Sequence, residues 1–138
     1  MDFIERRKNP RIDVDYVTVE VYTSNHYAAM PEVSEICNVI NLSEKGMRFS
    51  TDIKFKTKQI LRLTFLLPDS ICIVSTNANV IHIIPKRRST YEVGVSFINL
   101  GTAEKALIQH FVNKSLQSEL SQKHNLKNKR SKNNTKQL

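Results

Sequence analysis

The sequence predicts an all-β fold with one C-terminal helix. Three observations carry that expectation. Apolar residues alternate with polar ones over several short segments, as at Val17, Val19 and Val21 around Thr18 and Glu20, which is the period-two signature of a half-buried strand. Turn-forming clusters punctuate those segments at short intervals, too close together for βαβ crossovers, so a doubly wound sheet is excluded and an antiparallel barrel or sandwich remains. Finally, the period changes after Gly101 and Thr102: Ala103, Leu107 and Phe111 recur at four-residue intervals, widened by Ala106, Ile108 and Val112, and that stripe is helical.

Residues 1–11, MDFIERRKNPR, are charged and short of apolar anchors, and read as a flexible basic arm. Pro10 lacks a donor and biases Asn9 toward extended backbone, which disfavours a helix through the arginines. The folded domain is expected over residues 12–120. Its first strand surrounds Val17 to Val21, and a polar loop follows from Thr23 to Pro31. Ser34 to Asn41 is the next strand, and NLSEKG, Asn41 to Gly46, is a turn. Met47 and Phe49 resume the alternation around Arg48. Ile60 to Leu67 is a dense apolar strand stopped by Pro68 and Asp69. Ile71 to Ile84 is a long strand interrupted by the polar run Ser75, Thr76 and Asn77, and Pro85 ends it. Tyr91 to Ile98 is the last strand. Thr102 is the expected N-cap; Lys105 in its third helical position leaves the capping box incomplete. The helix is expected to end near Leu120, with a disordered lysine-rich tail over residues 121–138.

With 138 residues, 40% of them apolar, the chain is one domain's worth and can bury a core without disulfide or metal. Nothing approaches the run of about 18 apolar residues that a membrane helix needs, and the N-terminus lacks a signal-peptide pattern. Cys37 and Cys72 share no metal-ligand spacing. These features lead to the expectation of a reduced, cytoplasmic protein. Of the formal charge of +8, the tail from Ser121 to Leu138 carries +6 and no acid. The body is therefore only slightly basic, with one local cluster at Arg6, Arg7, Lys8 and Arg11. The tail is suited to weak electrostatic contacts with anionic surfaces.

The candidate site consists of two short elements. ERRKNPR places Arg7 and Arg11 with three residues between them, and NLSEKG supplies Asn41, Ser43 and Gly46 about thirty residues later. A guanidinium is a rigid fork of donors that fits a phosphate or the O6 and N7 edge of guanine. Asn41 carries both a donor and an acceptor, Ser43 a hydroxyl, and Gly46 permits a positive φ or close approach of backbone to a ligand. In this order and at this separation the two elements resemble the binding motifs of the PilZ domain family, and YEVGVSF, ending at Phe97, is similar to the strand that closes its barrel. The resemblance covers about Glu5 to Val112.

The resemblance implies a six-stranded antiparallel PilZ-type β-barrel and a non-enzymatic receptor for cyclic di-GMP, with Arg6, Arg7, Arg11, Asn41, Ser43 and Gly46 as ligand-binding residues. Arg6, standing before the arginine pair, implies two ligand molecules per chain. Ligand would order the N-terminal arm against the barrel, with Phe3 and Ile4 docking alongside, and the signal would pass by contact to a separate, unidentified effector protein. Two alternatives are a ligand-independent adaptor of the same fold and a small barrel binding single-stranded nucleic acid. The second would need Tyr16, Tyr22, Tyr27 and Tyr91 as stacking platforms, and these do not cluster with basic residues. His26, His82, His110 and His124 show no metal spacing, Ser43 has no relay partners, and glycines at 46, 94 and 101 form no phosphate loop. Lys86, Arg87 and Arg88 read as a solvated loop. Whether Lys45 and Arg48 approach the ligand or stay solvated is open in the sequence.

Overall fold

Strict alternation dictates the barrel. In a computed structural model, which describes residues 10–14, 16–23 and 33–136, strand β5 (Ile60–Leu67) buries Leu61, Leu63, Phe65 and Leu67 and turns Ile60, Arg62, Thr64 and Leu66 outward. The other strands are β1 (Ile12–Asp13), β2 (Thr18–Thr23), β3 (Val33–Leu42), β4 (Gly46–Thr51), β6 (Cys72–Pro85) and β7 (Tyr91–Ile98). All pair antiparallel, in the order β1-β3-β2-β5-β6-β7-β4, and β4 pairs back onto β3. That last pairing closes a six-stranded barrel, with the two-residue β1 added to the outer part of β3. Closure removes the unpaired edges that an open sheet would expose. Each fully buried Val, Leu or Phe contributes roughly 1.5–3 kcal/mol of transfer free energy. The interior is filled mainly by such side chains, among them Val19, Val39, Phe49, Leu63, Val74, Val80 and Val93.

The expected interruption of β6 at Ser75 to Asn77 is absent: the strand is paired continuously from Cys72 to Pro85, with an irregularity only near Ile81. The polar run is accommodated by hydrogen bonds. Ser75 Oγ meets Thr64 Oγ1 at 2.7 Å on the outside, and the buried Thr76 donates to the carbonyls of Asn77 and Ile98.

Helix α1 (Thr102–Lys136) buries Ile108, Phe111 and Val112, and Phe111 meets Tyr16 edge-on at 6.5 Å. Its cap differs by one residue from the expected one. The Lys105 amide donates to the carbonyl of Gly101 at 2.9 Å, so Gly101 is the N-cap and Glu104 takes the third helical position. The Glu104 carboxylate lies where a side chain on Gly101 would go, beside the positive end of the helix dipole. The helix also runs past Leu120 to Lys136, where the sequence reading has a disordered tail. No glycine or proline stands within it, and Lys, Arg, Gln and Leu all favour helix. The expectations for residues 1–9, which include Arg6, Arg7, Phe3 and Ile4, and most of the Thr23–Pro31 loop lie outside the described residues.

Candidate functional site

Two β-bulges organise the outer wall of the barrel. Along β3, Cys37 and Val39 point inward, and unbroken alternation would turn Asn41 inward as well. The register shifts between Val39 and Asn41, so Leu42 goes to the core and Asn41 faces out opposite Arg48. Along β6, Val74, Thr76, Ala78 and Val80 point inward; a second shift between Val80 and His82 puts His82 outside and packs Ile83 against the core. Each bulge thus re-aims one polar side chain, a common use of this irregularity. Backbone register then aligns Asn41 of β3, Arg48 of β4, Gly94 of β7 and His82 of β6 in one row across four adjacent strands.

Strand β1 delivers the arginine. Ile12 pairs with Leu42 and Asp13 with Asn41, which carries the preceding Arg11 to the β3–β4 turn. A cleft of about 110 Å³ forms there, and Arg11, Asn41, Ser43, Lys45, Gly46, Arg48 and His82 are among its lining residues. Four of the six residues singled out by sequence therefore meet at one place, and the other two, Arg6 and Arg7, lie outside the described residues. A cyclic dinucleotide is far larger than this cleft, since drug-sized ligands fill roughly 300–1,000 Å³. A cleft of this size has room for a single small polar group and not for a whole nucleotide pair.

The turn residues have structural duties that the sequence reading does not assign. Ser43 is 6% exposed; its hydroxyl accepts from the Lys45 amide at 3.2 Å and donates to the Gly46 carbonyl at 3.4 Å. Its amide also bonds the Gly46 carbonyl at 2.9 Å. Gly46 does not have a positive φ. Its lack of a side chain serves close strand packing, because a Cβ there would collide with the Val95 carbonyl of β7. Glu44, between them, is hydrogen-bonded by Gln109 of the helix, which ties the turn to α1.

The electrostatics centre on Arg48. Its Nη2 donates to His82 Nε2 at 3.2 Å, and its Nη1 lies 3.7 Å from the Glu92 carboxylate, which Lys86 approaches at 3.6 Å from the other side. Burial, then the Arg48 and Arg11 charges, hold the His82 imidazole below its ordinary pKa, with Glu92 opposing. His82 is thus an uncharged acceptor inside a cationic wall. It is seated against Gly94, where any Cβ would run into the imidazole ring. Sequence reasoning overlooked His82 because it weighed histidines only for metal spacing. The signal is the consecutive pair Val80-Ile81 before it, which breaks the alternation and marks the bulge.

The sequence model of one family, the PilZ domain, matches residues 5–114. Three similar solved structures are Bacillus subtilis inhibitor of motility (MotI/DgrA), at 20% identity and TM-score 0.61, Escherichia coli YcgR in complex with c-di-GMP, at 17% and 0.64, and the separate YcgR PilZ domain with c-di-GMP, at 15% and 0.61. They cover 83%, 87% and 87% of this chain. The chain spans 53% of the first and 50% of the second, about half of each, and 98% of the isolated domain. At these identities the structures establish a shared fold. No curated protein matches by sequence.

Proposed function

We propose, on the premise that this chain belongs to the PilZ domain family, that it is a non-catalytic receptor for cyclic di-GMP. The observation that supports this most is the convergence of Arg11, Asn41, Ser43 and Gly46, from separate elements, on one cleft in the barrel wall. YcgR, a protein of the same fold, has been solved with c-di-GMP bound. The cleft presents guanidinium donors and an amide without a nucleophilic relay, a set that holds a phosphodiester and a base edge and leaves the ligand unchanged.

Arg7 and Arg11 clasp the ligand from the arm, Asn41 reads a base edge, and the Ser43–Gly46 turn holds the floor in shape. Arg6 supplies a third guanidinium, and with it two ligand molecules bind per chain, where their combined negative charge needs the extra cation. Ligand orders the arm against the barrel, and the reshaped surface contacts a separate effector protein. Among the described residues no helix is long and apolar enough to cross a membrane, and the receptor acts in the cytoplasm, where this messenger would be met.

The test is a calorimetric titration with cyclic di-GMP at about 0.15 M salt, with GTP and cyclic di-AMP as controls. Wild type should bind two nucleotides per chain at low micromolar affinity or better. Arg7→Ala with Arg11→Ala removes at least two charge-assisted hydrogen bonds of about 1.5–3 kcal/mol each, a loss well above tenfold. A folded wild type that does not bind rejects the receptor reading. Binding of one nucleotide rejects only the role given to Arg6.

A further inference from the structure

Both bulges direct a polar side chain onto the same face, yet only one of the two, Asn41, belongs to a recognised binding element. The other bulge needs its own account. His82 sits beside the cleft with a glycine beneath it, and Arg48, its partner, lies in the row between Asn41 and Gly94. The bulge returns Ile83 to the core, but the guanidinium–imidazole bond and its side-chain-free seat lie on the outer wall of the barrel, where neither polar group fills the interior.

We propose that Arg48 and His82 form a further ligand-binding pair, gripping a phosphodiester of the bound cyclic dinucleotide from the barrel side while Arg11 holds it from the arm side. This rests on the receptor reading above and adds to it a contact surface outside the two motifs. The pair also couples binding to protonation. The groups facing His82 are Arg48 from β4, Glu92 from β7 and Arg11 ahead of β1; Lys45 lines the same cleft and Lys86 reaches Glu92. In the free protein burial first, and then the field of the Arg48 and Arg11 cations, keep the imidazole neutral, accepting from Arg48 at Nε2. An anion placed between Arg11 and Arg48 cancels that field. His82 then takes a proton from solvent at Nε2, its bond from Arg48 breaks, and both groups donate to phosphate oxygens. The only covalent changes are the N–H bond made at His82 Nε2 and the bond to hydrogen broken on the buffer acid, so that up to one proton is taken up per site, the average depending on pH.

The experiment is cyclic di-GMP calorimetry on the full chain at pH 6.5 in two buffers of different ionisation enthalpy, repeated from pH 6 to pH 8. Wild type should take up a fraction of a proton per chain, and its affinity should rise as pH falls, by at most tenfold per unit. His82→Gln keeps an acceptor for Arg48 but cannot titrate in this range; it should lose the proton uptake and flatten the pH profile. Arg48→Gln, checked for folding by its thermal melt, should bind about tenfold or more weakly. Wild-type binding with no proton uptake, or uptake that survives His82→Gln, overturns the proton coupling. Unchanged affinity in both variants overturns the contact pair and leaves the receptor reading standing. Absence of wild-type binding overturns both.

Discussion

The chemistry of single residues here is set by what surrounds them more than by their type. The two cysteines illustrate this. Cys37 is 3% exposed and burial is the main force that pushes its thiol up to about 11, reinforced by the Glu35 and Asp52 charges and opposed by a hydrogen bond with Thr51. Cys72 is only partly buried near the β5–β6 turn and donates to the Ser70 carbonyl at 3.4 Å. Because the thiolate is the nucleophile, an aromatic disulfide reagent at pH 8 should label Cys72 well before Cys37. Full labelling of Cys37 should wait for unfolding. Equal labelling rates in the native protein would contradict the buried placement. A raised thiol pKa binds a proton more tightly in the fold, so the stability it contributes is lost as pH rises above the ordinary value of 9.0 toward 11. His82 has the opposite sign: its depressed pKa means that stability is lost as pH falls through its ordinary 6.5 toward the lower folded value.

Among the elements, the strands were legible in sequence and the irregularities were not. β5 and β7 have the bounds that alternation predicts, because each presents a clean inward set such as Leu61, Leu63, Phe65 and Leu67. The bulges at Ile40 and Ile81 each fall in a consecutive apolar pair, but that break in alternation does not fix the register, since a shift is defined only by the partner strand. The two-residue β1 was also missed, being too short for a period, although it is what brings Arg11 to the turn. Glycine positions distinguish the two kinds of packing. Gly46→Ala forces a Cβ into the rigid Val95 carbonyl, so β4 must move from β7 at a cost of about 1–3 kcal/mol, readable by urea denaturation. Gly94→Ala meets the His82 ring instead, and that side chain can swing outward. It should cost less stability than Gly46→Ala and should abolish the Arg48–His82 bond. A Gly94→Ala protein that melts far below the Gly46→Ala protein would show that the imidazole has no room to move.

For the whole molecule, the buried helix residues and the basic charge of the C-terminal region fall in different parts of the chain. The helix residues seen to be buried, Ile108, Phe111 and Val112, all precede Leu120, and the +6 of charge lies beyond it. Truncation after Leu120 should therefore leave the denaturation midpoint nearly unchanged while weakening retention on heparin or other polyanions. A large drop in stability would mean that the distal helix packs on the barrel. The overall class was readable because a barrel interior demands a regular inward pattern. Where the helix ends was not readable, because a polar helix without glycine or proline carries no stop signal.

The row from Asn41 through Arg48 and Gly94 to His82 also has a kinetic meaning. Asn41 and Arg48 are neighbours in a hairpin, but Arg48 reaches Gly94 only once β4 pairs with β7, across the intervening β5 and β6. Such long-range pairing is late and slow in folding, since a long loop must close before any contact forms. A slip of one residue between β4 and β7 would turn Arg48 into the core and leave no row at all. On the proposed site, ligand capture is thus an audit of barrel registration: a chain that is collapsed, swapped or half-paired should not bind, and the binding-competent fraction of a preparation should count its correctly closed molecules.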